Sequence, residues 1–264
     1  MPVDTRDERR WLKRFGRRDL AEIRLLCFHC AGGNASMYRD WTRWTPASIE
    51  PIAVQLPGRL DRFGEAPYEN MDPLVDKLAD VIAPLLDQPF ACYGASMGAQ
   101  VAWALTHALR DRAMPMPRKL YIASSAAPGA EEPVRGWNEP DSRLVQYMVD
   151  LGGTPPEILA EPDLLARLLP MLRADLTVLG THALRPAAPL EVPIRAFAGR
   201  EDVEASPERM SAWRAETCAR FDLDVVAGGH FFTPAGQRQV IEVISDELAR
   251  ADEQLIRPGE EEFR

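Results

Sequence analysis

Residues Phe90–Gln100 read FACYGASMGAQ. A short apolar run ends at Gly94, and Ser96 follows between two glycines, each two positions away. Downstream, VAWALTHAL (101–109) carries apolar residues at helical spacing. Strand, G-x-S-x-G and helix, in that order, describe a nucleophile elbow. There the chain turns so sharply that only small residues fit beside the serine. The pentapeptide alone is a loose pattern, and the same glycines would serve an ordinary tight turn. The rest of the chain decides between the two.

Short apolar runs alternate with amphipathic ones on both sides of this stretch. IRLLCF (23–28), PIAVQL (51–56), FACYG (90–94), KLYIAS (119–124), IRAFAG (194–199) and FDLDVVA (221–227) predict buried strands. Helical patterns fall at 71–86, 97–110, 207–219 and 237–250; in the first, Leu74, Leu78, Val81 and Leu85 recur at spacings of three and four. The alternation predicts an α/β fold with a mostly parallel sheet covered on both faces. Between Ser124 and Ile194 lie roughly seventy residues, where a crossover needs only about a dozen. Helical patterns at 142–153 and 163–184, the latter interrupted at Pro170, fill that connection. They carry Leu144, Met148, Leu151, Leu168, Met171, Leu172 and Leu179, more apolar surface than a solvent-facing connector needs. A helical lid insertion over about 130–186 follows as the expectation, with plain extra packing as its alternative. Residues 1–264 are expected to form one domain, with a tail at 252–264 that frays.

Composition narrows the function classes. The chain has 264 residues, 46% hydrophobic and 27% charged, and a formal charge of −9. That balance opposes nucleic-acid binding, and no apolar run is long enough to span a bilayer. The first residues, MPVDTRDERRWLKRFGRR, are charged throughout and lack the apolar core of a secretory signal, so a cytoplasmic location is expected. Cys27 and Cys30 form a C-x-x-C, but Cys92 and Cys218 stand alone and supply no recognisable metal spacing. Cys27 also falls inside a strand pattern rather than at a helix start, where a redox pair would sit. No metal and no cofactor are expected.

A nucleophilic serine needs a base and an acid. Of the four histidines, His230 follows the last strand pattern through Gly228–Gly229 and precedes the final helix. His29, His107 and His182 stand elsewhere in the chain order. An acid should end the preceding strand, and IRAFAGRED places Asp202 there, with Glu201 the weaker candidate. Ser96, Asp202 and His230 in that order are the triad sequence of an α/β-hydrolase fold. Backbone N–H groups should stabilise the oxyanion: Met97 after the serine, and Ala31 in the loop after the first strand.

Beyond these positions stand CAGG (30–33), QLPGRLDR (55–62), SMGA (96–99), LRADL (172–176), GRED (199–202) and GGHFF (228–232). With them the chain, from Trp11–Phe15 to about Ala249, resembles the stand-alone type II thioesterases that accompany polyketide synthases and nonribosomal peptide synthetases. QLPGR and GGHFF are far more specific than G-x-S-x-G. The resemblance implies an α/β-hydrolase that cleaves acyl thioesters from the phosphopantetheine arm of an acyl or peptidyl carrier protein, clearing misprimed or stalled chains of antibiotic biosynthesis. Two positions depart from the family: His29–Cys30 stand where it usually has proline before a His or aromatic residue, and Ala95 where it often has His. Met148, Met171 and Phe231 are the candidates to line the acyl pocket. The main alternative is a general carboxylesterase or lipase-like hydrolase of small oxygen esters. A catalytically silent hydrolase fold used as a binding module and a C-x-x-C redox protein are the rivals from other classes.

Overall fold

The computed structural model describes residues 5–16, 18–129, 137–183 and 186–256. Helix α1 (Thr5–Trp11) leads into a two-residue strand β1 (Leu12–Lys13) and then β2 (Ile23–Phe28). After the short α2 (Trp41–Trp44) come β3 (Ile49–Val54), α3 (Met71–Ile82), β4 (Phe90–Ala95), α4 (Met97–Asp111) and β5 (Leu120–Ala123). The long connection holds α5 (Asp141–Leu151), α6 (Pro156–Leu159) and α7 (Pro162–Gly180). The chain closes with β6 (Ile194–Gly199), α8 (Pro207–Ser211), β7 (Phe221–Val226) and α9 (Pro234–Ile256).

The seven strands form one sheet in the order β1-β3-β2-β4-β5-β6-β7. All neighbours run parallel except β1, which pairs antiparallel with Ala53 and Val54 of β3. Side chains alternate across the sheet, as the pleat requires. From β2, Leu26 and Phe28 join the core under α3 and α4, while Ile23, Leu25 and Cys27 join the one under α9. This is the α/β-hydrolase architecture expected from the alternation of strands and helices and from the chain order of Ser96, Asp202 and His230. Among the described residues, no helix is long and apolar enough to cross a membrane.

Several boundaries differ from the sequence expectation. β3 begins two residues before the apolar run PIAVQL and ends at Val54; the side chain of Gln55, just beyond it, accepts the Ala35 N–H at 2.9 Å. Pro51 is tolerated in β3 because β1 bonds only the residues beyond it. The expected helix at 207–219 is α8 followed by a 3-10 turn over Ala212–Glu216. α7 runs straight through Pro170, where the sequence pattern predicts an interruption. A proline forfeits the bond to the carbonyl four residues back. Here Pro170 and Ala166 both lie on the exposed face of the helix, while Leu169, Met171 and Leu172 beside them are buried. Strand β1 is too short to leave a periodic signal. Within the expected insertion, residues 130–136 and 184–185 lie outside the described residues, as do 257–264 of the tail; residues 252–256 continue α9.

Candidate active site

Ser96 occupies the single residue between β4 and α4 with φ +53° and ψ −118°, in the backbone region that side chains other than glycine's rarely enter. The turn holds because its surroundings over-determine it. The Ser96 N–H donates to the Ala123 carbonyl at 2.8 Å, across the sheet. A Cβ at Gly94 would lie 2.2 Å from the Gly98 carbonyl oxygen, and one at Gly98 would lie 2.1 Å from that of Phe28. Both glycines of the motif are therefore required by backbone-to-backbone approach. The strained turn and the small neighbours that an elbow needs are both present.

His230 lies in the loop after β7, at the same sheet edge. Its Nε2 stands 3.0 Å from Ser96 Oγ and its Nδ1 3.1 Å from Asp202 Oδ2. Asp202, just beyond β6, is buried, and its other oxygen accepts the N–H groups of Glu204 and Ala205 at 2.9 and 3.0 Å. Burial alone would push this carboxyl up. The hydrogen bonds from His230, Ala205 and Glu204 outweigh it and hold Asp202 below the usual carboxylate value. Anionic Asp202 accepts a hydrogen bond from His230 Nδ1–H, which keeps that proton on Nδ1 and leaves Nε2 as the lone-pair nitrogen facing Ser96. Glu201, the weaker acid candidate, serves the backbone instead. Its carboxylate accepts the Gly228 N–H at 2.9 Å and ties down the start of the histidine loop.

Of the two proposed oxyanion donors, Met97 follows the serine directly and Ala31 shares its cleft. Met97 opens α4, where backbone N–H groups lack intrahelical partners and the helix dipole favours negative charge. Ala31 lines the same cleft as Ser96 and His230. Its neighbours' N–H groups are committed elsewhere, Gly32 to Asp175 Oδ2 at 2.8 Å and Gly33 to the Cys30 carbonyl at 3.0 Å. The cleft holds about 580 Å³ and is walled by α7 and the end of α5, with Met148, Met171 and Phe231 all in its lining. Cys30 lines it too, but burial pushes its thiol up to about 12, and Cys27 is also raised by burial, so neither is a thiolate at neutral pH. Among the described residues, no group of three or more His, Cys, Asp or Glu side chains could hold a metal ion.

The structure brings together two motifs to which the sequence alone assigns no role. Arg59 of QLPGR and Asp175 of LRADL form a bidentate ion pair at 2.7 and 2.9 Å, both side chains almost fully buried. Arg59 also donates to the Gly33 carbonyl at 3.2 Å and to the Pro57 carbonyl at 3.1 Å. His29, one of the family departures, packs against this pair. Burial first, and then the nearby Arg59 charge, push its imidazole down to about 3. The neutral ring donates Nδ1–H to the Cys30 carbonyl at 2.8 Å. The only sequence signal for the pair is the two motifs themselves, more than a hundred residues apart.

Residues 23–248 match the thioesterase domain family. The gramicidin S biosynthesis protein GrsT of Aneurinibacillus migulanus is 33% identical over 240 residues, covering 90% of this chain and 94% of that protein. Among solved structures, the RedJ thioesterase of the prodiginine pathway in Streptomyces coelicolor matches with a TM-score of 0.82 and 33% identity, over 88% of this chain and 92% of that one. The type II thioesterase BorB of the borrelidin biosynthetic cluster matches with a TM-score of 0.80 and 30% identity, over 90% and 97% of the two chains. With a match that runs from the first parallel strand into the last helix, this chain belongs to the thioesterase family.

Proposed function

We propose that the protein hydrolyses acyl thioesters held on the phosphopantetheine arm of an acyl or peptidyl carrier protein, clearing such arms in polyketide or nonribosomal peptide biosynthesis. The observation that carries the reading is the hydrogen-bonded chain Ser96–His230–Asp202 at the floor of an apolar cleft. Ser96 Oγ attacks the thioester carbonyl while His230 Nε2 takes its proton, and Asp202 stabilises the imidazolium. The Met97 and Ala31 N–H groups bind the oxyanion. As it collapses, the carbon–sulfur bond breaks and His230 returns the proton to the leaving sulfur. Water, deprotonated by the same nitrogen, then attacks the acyl-serine and releases the acid.

In this reading residues 1–264 make one hydrolase domain, and α5 to α7 form a lid over the acyl chain. The relatives' places in gramicidin S, prodiginine and borrelidin biosynthesis support a carrier-bound substrate. Buried free thiols at Cys27, Cys30 and Cys92 suit a reducing cytoplasm. Recognition of carrier and arm positions the carbonyl through parts of the substrate remote from the reaction. The same acyl group should therefore be turned over with a kcat/KM at least about tenfold higher on a carrier protein than on a small thiol or as a nitrophenyl ester. Equal or faster turnover of the small ester would favour a general esterase.

A further inference from the structure

We propose that Asp175 and Arg59 are positioning residues for the oxyanion hole, and that seating α7 and assembling the hole are one event. The inference rests on the proposed reading of Ala31 as an oxyanion donor. Ala31 sits in the loop His29–Gly33, and both members of the ion pair grip the backbone of that loop. Asp175 Oδ2 accepts the Gly32 N–H at 2.8 Å, and Arg59 donates to the Gly33 carbonyl at 3.2 Å. The two charges are locked to one another in bidentate geometry, which fixes direction as well as distance. One turn back along α7, Leu172 places its Cδ1 3.3 Å from where a Gly32 Cβ would stand. Ala31 itself packs into the small cluster built by Leu144, Leu169, Leu172 and Leu176. One face of α7 thus meets the loop with an apolar contact and a carboxylate three residues apart, the spacing that puts both on the same side of a helix.

A buried ion pair is a poor way to gain stability, because removing two charges from water offsets most of their attraction, and apolar replacements are often neutral or better. What an apolar pair cannot do is hold a backbone N–H and a backbone carbonyl in fixed directions. Oxyanion donors act only when aimed in advance at the place where charge develops. If α7 lifts, Gly32 loses its acceptor and Arg59 its counter-charge together. The donor one residue before Gly32 then loses its support. The lid helix therefore carries part of the reaction centre's alignment as well as part of the acyl pocket.

The test compares Asp175→Asn with the apolar double replacement Arg59→Met/Asp175→Leu, using octanoyl and acetyl thioesters of a small thiol and an alkyl trifluoromethyl ketone. That ketone forms a tetrahedral oxyanion adduct on a reactive serine. Asp175→Asn should lower kcat about 100-fold, with KM within about twofold. The loss should be equal for both acyl lengths and matched by weaker ketone binding. The double variant should unfold at a temperature near that of the wild type and still show the low kcat. Recovery of kcat to within about threefold in the stable double variant would overturn the proposal. So would a loss confined to octanoyl with unchanged ketone affinity, which would assign the pair to pocket shape. Should Asp175→Asn fail to fold, the double variant alone decides. Wild-type protein whose Ser96 does not react with a fluorophosphonate would instead sink the reading on which the inference rests.

Discussion

The elbow and the proposed lid are built on opposite principles. β4 is buried from end to end except at Ala95, and α4 behind it buries ten of its residues. Backbone there touches backbone at Gly94 and Gly98. Of their described side chains, α5 buries Leu144 and α6 buries none, while α7 is anchored mainly through its second half. Segments with few buried apolar contacts open at low free-energy cost, and densely packed strands only with global unfolding. The difference separates two jobs. On the proposed reading, the elbow and the second half of α7 hold reacting atoms still, while α5, α6 and the first half of α7 admit acyl chains and rearrange around them.

The rigid half should fail abruptly. Ser96→Ala removes the proposed nucleophile without disturbing the fold and should reduce turnover by at least about 10⁴-fold, measured on an acyl thioester at saturation. Asp202→Asn, which presents the wrong hydrogen-bond partner to His230 Nδ1, should lose about as much. A purified, folded Ser96→Ala protein with near-wild-type rate would end the hydrolase assignment. Gly98→Ala tests the frame instead of the chemistry. A methyl group 2.1 Å from the Phe28 carbonyl must displace β2 or α4, and the expected loss is about 4 kcal/mol or more in urea unfolding. A loss under about 1 kcal/mol would mean that the elbow is softer than its contacts imply.

What is legible in the sequence divides along the same line. The parallel strands, the elbow, Asp202 and His230 announce themselves because each is set by local pattern: an apolar run, a glycine pair, a strand end. β1 and the course of α7 do not. A two-residue strand has no period, and Pro170 carries a breaker's signal that its exposed position makes harmless. Arg59 and Asp175 are visible as motifs and invisible as a pair, because nothing local says which buried charge meets which. Glu201 reads as a spare acid in the sequence, and the Gly228 amide it holds becomes apparent only when β6 and β7 lie side by side.

The loop beneath the serine gives the comparison a pH signature. His29 is buried and neutral, and its imidazole is pushed down to about 3 from 6.5, with Arg59 beside it and the Cys30 carbonyl on its Nδ1. Between those two values the unfolded chain binds a proton that the folded chain refuses, so stability falls as pH drops through that window. The slope is at most about 1.4 kcal/mol per unit. His107, half-buried and lowered to about 4, adds a second such contribution. His29→Gln should remove about one proton from the slope. In urea unfolding at pH 7 and pH 5, the variant should lose about 2 kcal/mol less than the wild type. Equal losses would show that His29 is not kept neutral by the fold.

The smallest effect belongs to the methionines of the proposed lid, and it should appear in selectivity and not in reactivity. Met148 is half-buried at the end of α5 and lines the cleft, while Met171 is buried on α7 and lines it from the other wall. Methionine adapts to irregular gaps, so a wall of methionines accepts acyl chains of varied shape. Met148→Trp replaces that adaptable surface with a rigid ring, and a pocket contact of one or two methylenes changes transition-state binding by about 1–3 kcal/mol. The expected result is a drop in kcat/KM for octanoyl relative to acetyl thioesters of about tenfold, or about 1.4 kcal/mol. Labelling of Ser96 by a small fluorophosphonate should meanwhile change by less than about twofold, because the elbow does not depend on α5. If the variant instead shifts only its melting temperature and keeps the wild-type acyl preference, α5 is packing and the selective wall lies on α7 alone.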